Sequence, residues 1–398
     1  MTKIFLFFFV LSGFFVQSQT DGQLIMKSKF LLSNNRLEEA HQLIDSIQSE
    51  NYYSDFIEAE IYFRKKEFSK AIASYLLSNQ KLNYYSDFQL SKSYAQIEQF
   101  DSAAYYLKRY LLSKHKLASN IVKTDTDFER FKKSKNWNGL NIDSYYSQNE
   151  KSIERAIYYK NRKELDLALD ILDELILNNK DFLDAYYYRA KFIVLLNEDY
   201  KYAIKDVKRI INIEPTNYKY NKLLADLFFH ETKYKKALGY YLKAEQLFPY
   251  SLSDLLKISK SYYRMGEYGK AILYASKYVD IAPKDIEALK ILGQIYYDEG
   301  EMQASIDVLN KAVFIDSRRI DILVARGKAF LEHDEYQRAG RDFNIALDLD
   351  SDNGELWYLK GLAFLYQDKR DEACRYFTKA SYLNYYKADE YLLKECQK

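Results

Sequence analysis

Apolar and small residues recur along the C-terminal half with a period of 34 positions. Gly293, Gly327 and Gly361 form one column, and Ala203, Ala237, Ala271, Ser305, Ala339 and Ala373 form a second. Val207, Tyr241, Ala275, Leu309, Phe343 and Phe377 make a third, and Ile210, Ala244, Tyr278, Ala312, Ala346 and Ala380 a fourth. All three prolines, Pro215, Pro249 and Pro283, share one place in the same period. A repeat of this length predicts stacked helical hairpins. Each proline closes one hairpin and sets φ where the chain enters the next. The small columns mark where helices approach most closely, so a bulky residue at Ala339 or Ala373 is expected to force a hairpin open.

Counting in this register places unit starts near Glu150, Asp184, Tyr218, Leu252, Ile286, Ile320 and Gly354, which makes seven units over residues 150–387. Upstream, Ser28 and Ala40, Ala59 and Ala71, and Ser91 and Ala103 keep the twelve-residue offset of the glycine and alanine columns. They predict a shorter array over residues 20–118. The period lapses in the polar segment 119–149, where Phe128, Phe131, Trp137 and Leu140 are candidates to cap the first array. Residues 388–398, with Tyr391 and Leu392, are expected to cap the second, since a terminal hairpin otherwise leaves an apolar face open.

Composition narrows the choice. Only 12 Gly and 3 Pro in 398 residues argue against sheet classes, which need breakers at many turns. A formal charge of +2 lacks the electrostatic footprint of a nucleic-acid binder. The 48% hydrophobic content includes 40 Tyr, and the mean hydropathy is -0.45, which describes an ordered, water-soluble chain. At the N-terminus, Lys3 precedes the apolar run 4–16 and the small residue Ser18. Residues 1–19 therefore read as a signal peptide, with a periplasmic or secreted destination, outer-membrane association included, and no later integral span.

The last full unit, with Trp357, Lys360, Gly361, Phe364, Ala373, Phe377 and Ala380, resembles the tetratricopeptide repeat family. Lys360 stands where that pattern has leucine and Tyr385 where it has its terminal proline. The FVQSQ ending of the leader resembles exported proteins of Bacteroidota. The resemblance implies an all-α fold, an alpha-alpha superhelix of about ten helical hairpins whose first helices line a concave groove. Carried onto this register, the groove positions are Tyr158, Tyr188, Phe192, Lys222, Asp226, Phe229, Lys260, Tyr263, Arg264, Lys290, Tyr297, Lys328, Tyr358 and Tyr366. Aromatic rings with interspersed cations suit a protein or extended peptide, an acidic one included. The family's clamp for a C-terminal carboxylate is not implied, because Asp226 stands where an asparagine is wanted after Lys222. The expected role is a non-enzymatic scaffold or adaptor in the bacterial envelope. A glycan-binding face and a self-assembling envelope component are the alternatives.

Other chemistry is sparse. His41, His115, His230 and His333 are dispersed, with no second histidine or cysteine at ligand spacing, so neither catalysis, a cofactor nor a metal is predicted. Asp348, Asp350 and Asp352 suggest a calcium loop, but Asn353 occupies the position where that loop needs glycine, and helix-capping acids in a turn explain the run better. Cys374 and Cys396 lie where antiparallel helices would bring them within disulfide range, two buried thiols being the alternative.

Overall fold

Small residues determine how the helices meet. The computed structural model describes residues 20–47, 49, 51–114, 116–196 and 200–396; the leader segment 1–19 lies outside them. Among the described residues every regular element is helical. The first three hairpins are α1 (Asp21–Ser33) with α2 (Leu37–Asp45), α3 (Tyr52–Arg64) with α4 (Phe68–Lys81), and α5 (Asp87–Gln96) with α6 (Phe100–Leu111). Between them and the next hairpin lie α7 (Ser119–Thr124), α8 (Lys135–Asn138) and three short 3-10 turns. Seven hairpins follow. They begin with α9 (Gln148–Asn161) and α10 (Leu165–Asn178), then α11 (Leu183–Leu196) and α12 (Tyr200–Ile213), then α13 (Tyr218–His230) and α14 (Tyr234–Leu247). The remainder are α15 (Leu252–Arg264) with α16 (Tyr268–Ile281), α17 (Ile286–Glu299) with α18 (Met302–Ile315), α19 (Ile320–Glu332) with α20 (Tyr336–Leu349), and α21 (Gly354–Leu365) with α22 (Arg370–Tyr382). The terminal helix α23 (Lys387–Glu395) packs on α22. The described residues thus form an α-solenoid of three stacked hairpins and, beyond the irregular segment, seven more.

Inside the hairpins, the twelve-residue offset joins two fully buried small residues. Where the first is serine it adds a bond: the hydroxyls of Ser28, Ser91 and Ser259 donate to the carbonyls of Ala40, Ala103 and Ala271, each at 2.8 Å. Ser305 makes the converse bond to the Gly293 carbonyl, also at 2.8 Å. A serine buried at such a crossing satisfies its own hydroxyl and still permits close approach.

Each prolyl residue stands two positions beyond the end of a second helix, at α12, α14 and α16. The turns inside the hairpins follow a different rule, one residue with positive φ. Thr232, Gly266, Gly300, Asp334 and Asp368 occupy it at 34-residue spacing, with φ of 56°, 75°, 91°, 59° and 59°. A β-branched residue is the least suited to this conformation, which costs an L-residue about 1–2 kcal/mol. Thr232→Gly is expected to stabilise the protein by about 0.5–1 kcal/mol after the extra unfolded-state freedom of glycine is deducted. Gly300→Ala should move the denaturation midpoint the other way, because its added Cβ meets nothing within 4 Å and only the backbone is strained.

Two features shape the array. First helices of neighbouring hairpins also touch, as in α9 with α11 and α17 with α19, whereas among the described residues second helices show no comparable contact, so the stack curves toward the first helices. The N-terminal hairpins also return to the middle of the chain, where α1 packs on α16. Tyr53 stacks on Tyr250 at 4.8 Å and meets Phe248 edge-on at 5.3 Å, Asn51 hydrogen-bonds the Tyr250 hydroxyl, and Lys29 lies 5.8 Å above Phe248. Burial lowers the Lys29 pKa, and the ring faces, which attract the charged form, work against that shift.

The polar segment between the two sets of hairpins is not a free tether. Phe128 and Phe131 are fully buried against Ala95, Ala103 and Leu107, with Trp137 and Leu140 beside them. The segment then joins α9 through Lys116 to Glu150 at 2.6 Å and the Ser119 N–H to Glu154 at 2.6 Å. At the other end, Cys374 on α22 and Cys396 after α23 form a disulfide with a Cα separation of 5.7 Å. Asn353 caps α21 by accepting the Glu355 N–H at 3.1 Å, and its amide donates to Asp350 at 3.1 Å.

Candidate partner-binding groove

The helix-facing pattern decides which expected groove residues reach the surface. In α11 the register is displaced by one: Ala190 occupies the small position and lies thirteen residues before Ala203, both fully buried. One groove assignment, Phe192, is corrected as a result. Phe192 is only 2% exposed and packs with Ile153, Leu172 and Leu175, and Tyr188 packs beside it with ring centroids 6.0 Å apart. In the displaced register Tyr187 and Lys191 fall on the groove columns, with Tyr188 partly exposed beside them and the Lys191 ammonium 5.9 Å above the Tyr187 ring. The displacement goes with one extra residue in α11, which has 14 residues where α13 and α15 have 13.

The cationic stripe is also largely neutralised from within. Lys222 pairs with Asp254, Lys290 with Asp321 at 2.7 Å and Glu287 at 2.9 Å, and Lys328 with Glu355 at 2.8 Å. In each case an acid at the start of a first helix is engaged, usually one unit along, so these lysines tie hairpins together. Burial alone would lower Lys290, but its hydrogen bonds to Asp321 and Glu287 outweigh that and raise its pKa. Asp321 is held well below the usual carboxylate range, first by Arg319 and then by Lys290. A depressed folded-state pKa contributes stability above the unfolded value that is lost as pH falls through the folded one. Because Asp321 is largely exposed, Asp321→Asn is expected to cost no more than about 0.5 kcal/mol at neutral pH. The difference from wild type should shrink as pH drops below about 4, the ordinary aspartate range, in denaturant titrations.

Lys260 is the exception. It shares a column with Lys328, but the acid one would expect for it, Glu287, is occupied by Lys290 and Arg319. Among the described residues no carboxylate pairs with Lys260 or with Arg264. Burial lowers the Lys260 pKa, with Lys257 and Lys290 adding to the effect. Beside it, the Tyr263 hydroxyl donates to Asp298, and burial followed by that bond pushes its pKa up to about 12. Arg264 lies 5.9 Å over the Tyr263 ring, and Tyr297 is half-exposed on the next first helix.

The other aromatic positions divide. Tyr158 and Tyr366 are exposed, at 55% and 47%. Phe229 is half-buried beneath Lys257, whose ammonium is 4.9 Å from its ring. Tyr358 is covered by Tyr385 and Tyr391 of the terminal cap, at 5.2 and 5.6 Å, and so serves the cap and not the groove. Asp226 accepts the Tyr241 hydroxyl at 2.5 Å and lies 3.9 Å from Lys257. Lys360, which departs from the repeat's leucine, packs its ammonium 4.3 Å over Tyr376, so a cation fills the apolar slot.

A tetratricopeptide repeat family model matches residues 256–319 and 324–380. The matched segments, which run from α15 to α22, are tetratricopeptide-type repeats. No curated protein sequence matches it. Among solved structures, MamA is 26% identical, with 42% of this chain and 97% of that one covered and a TM-score of 0.39. A tetratricopeptide repeat protein from Parabacteroides merdae is 17% identical, covering 61% and 97%, with a TM-score of 0.46. YrrB, described as a TPR protein with an unusual peptide-binding site, is 16% identical, covering 44% and 91%, with a TM-score of 0.40. No described helix is long and apolar enough to cross a membrane.

Proposed function

We propose that this protein is a non-enzymatic adaptor of the bacterial envelope that holds an acidic segment of a partner protein along the groove at Lys260, Tyr263 and Arg264. The observation that carries this reading is Lys260, a partly desolvated cation without a carboxylate in an array that pairs Lys222, Lys290 and Lys328 internally. A partner carboxylate would complete the ladder, and Tyr263, Arg264 and Tyr297 offer planar contact around it. The stacked hairpins hold these groups in place beforehand, which lowers the ordering cost of binding. The buried acids support a structural use of polar groups: Glu60 is bonded to Tyr75, Asp254 to Tyr218 and Asp342 to Arg326. The leader pattern and the disulfide favour an oxidising compartment outside the cytoplasm.

The test is site-directed photocrosslinking in envelope fractions, with a crosslinking residue at Tyr263 and, as reference, at Tyr202 on a second helix. A discrete adduct at Tyr263, absent at Tyr202 and lost in a K260E/R264E background, is expected. Equal adducts at both positions, or an adduct indifferent to K260E/R264E, would defeat the central groove as the binding site.

A further inference from the structure

Away from the groove, His41 and Asp45 lie one turn apart on α2, and Glu58 faces them from α3. One ligand atom from each falls within 4.8 Å of the others. The His41 Nε2 is buried and has no hydrogen-bond partner. Its separation from the Asp45 Oδ1 is 3.7 Å, too long for an N–H···O bond. Buried polar atoms are nearly always satisfied, so an orphaned imidazole nitrogen asks for a missing partner.

The surroundings indicate what that partner is. Among the described residues, neither Asp45 nor Glu58 is paired with a lysine or arginine, which leaves two carboxylates turned toward one imidazole. Glu58 is oriented from behind, its Oε2 accepting the Ser74 hydroxyl at 2.9 Å. The His41 ring is held edge-on to Tyr62 at 5.0 Å. These are the supports that metal ligands receive from the residues behind them. Two ligands bonded at about 2.1 Å around a tetrahedral ion sit about 3.4 Å apart, close to the histidine–aspartate spacing, and the side chains of Asp45 and Glu58 have freedom to draw in.

We infer that His41, Asp45 and Glu58 form a binding site for one divalent transition-metal ion of the zinc class. The imidazole disfavours calcium and magnesium, which take oxygen ligands, and the two carboxylates disfavour copper(I). Because the ligands come from α2 and α3, the ion would staple the first hairpin to the second. That strengthens the element that returns to α16.

The full chain, freed of metal by chelation, is titrated with Co²⁺ as an optical probe and then with Zn²⁺ in competition. One Co²⁺ per chain is expected, displaced by Zn²⁺, with affinity reduced at least roughly tenfold in H41A and in D45N/E58Q. Zn²⁺ should raise the melting midpoint of the wild type and leave that of H41A unchanged. H333A, which removes an exposed histidine beside Glu335, serves as the control and should bind like wild type. Unaltered binding in H41A, loss of binding in H333A but not in H41A, or no saturable one-to-one site in the wild type would each overturn the assignment. Far-ultraviolet circular dichroism of the metal-free variants confirms that a loss reflects ligands and not unfolding.

Discussion

Gly327→Ala is expected to destabilise the C-terminal hairpins by about 2–3 kcal/mol, near the upper end for overpacking a core. A Cβ at Gly327 would lie 2.5 Å from Cε1 and 2.7 Å from Cζ of Phe343. That ring is fully buried among Ala339, Leu359, Ala363 and Phe377, so it has nowhere to retreat. Phe343→Ala alone should cost about 3–5 kcal/mol through the cavity it leaves. The double variant is the decisive measurement, since the added methyl then occupies space the ring has vacated. It should be more stable than the sum of the two single losses by at least about 1 kcal/mol. Gly293→Ala is expected to be milder, because the obstructing atoms are Cγ and Cδ2 of Leu309, at 2.7 and 2.8 Å, on a side chain that can change rotamer. Solenoids unfold by segments, so a local probe is needed. Trp357 on α21 lies in the same core cluster and reports this region by fluorescence. Strict additivity of the two substitutions would contradict the clash.

The same pairs show why the repeat was legible in the sequence. A helix crossing demands a small residue at one position and tolerates a bulky one sixteen places on, so Gly327 and Gly361 meet Phe343 and Phe377 at every period. This steric demand is local, and it survives in the spacing of single letters. The register of α11 was not legible for the opposite reason. One extra residue in the helix moved Phe192 from groove to core without disturbing the α12 columns, and only the thirteen-residue gap from Ala190 to Ala203 betrays it.

Contacts between units were harder to read than contacts within them. The cations at Lys222 and Lys290 suggested attraction for a partner, yet their acids, Asp254 and Asp321, stand 32 and 31 residues on and face them across neighbouring first helices. Charge patterning at nearly the repeat length could have signalled this ladder. The return of the N-terminal hairpins leaves no such trace, because Asn51 and Tyr250 are separated by 199 residues and their aromatic neighbours are unexceptional in a chain with 40 Tyr. The candidate metal ligands were missed because Glu58 belongs to a different helix from His41 and Asp45. Their proximity is a product of packing between hairpins.

Arg326→Met is the substitution expected to cost most among the charged residues, about 3–5 kcal/mol, because it strands a carboxylate inside a hairpin. Arg326 on α19 grips Asp342 on α20 with two parallel bonds, Nε to Oδ2 at 2.8 Å and Nη2 to Oδ1 at 2.6 Å. Its third nitrogen, Nη1, reaches Asn310 at 2.9 Å. The side chain of Asp342 is only 4% exposed, so water cannot replace the lost partner. Arg189 repeats the device four units earlier, bonding Asp206 at 2.8 and 2.7 Å and Asp173 at 2.6 Å, which argues for a structural clamp and against a ligand site. In the wild type, burial pushes the Asp342 pKa up while Arg326 pulls it back. With Arg326 gone, the upward influence of burial is opposed only by the charge of Arg338. The folded variant then retains a proton that the unfolded chain releases, so its stability rises as pH falls toward the ordinary carboxylate range and is lost again as pH rises through the elevated folded value. Its deficit against wild type should therefore narrow on acidification. R326M/D342L should recover most of the loss, since an apolar pair of similar size leaves no charge unpaired. A neutral-pH loss below about 1 kcal/mol, or a deficit independent of pH, would show that Asp342 finds solvent and that the clamp is not what closes the hairpin.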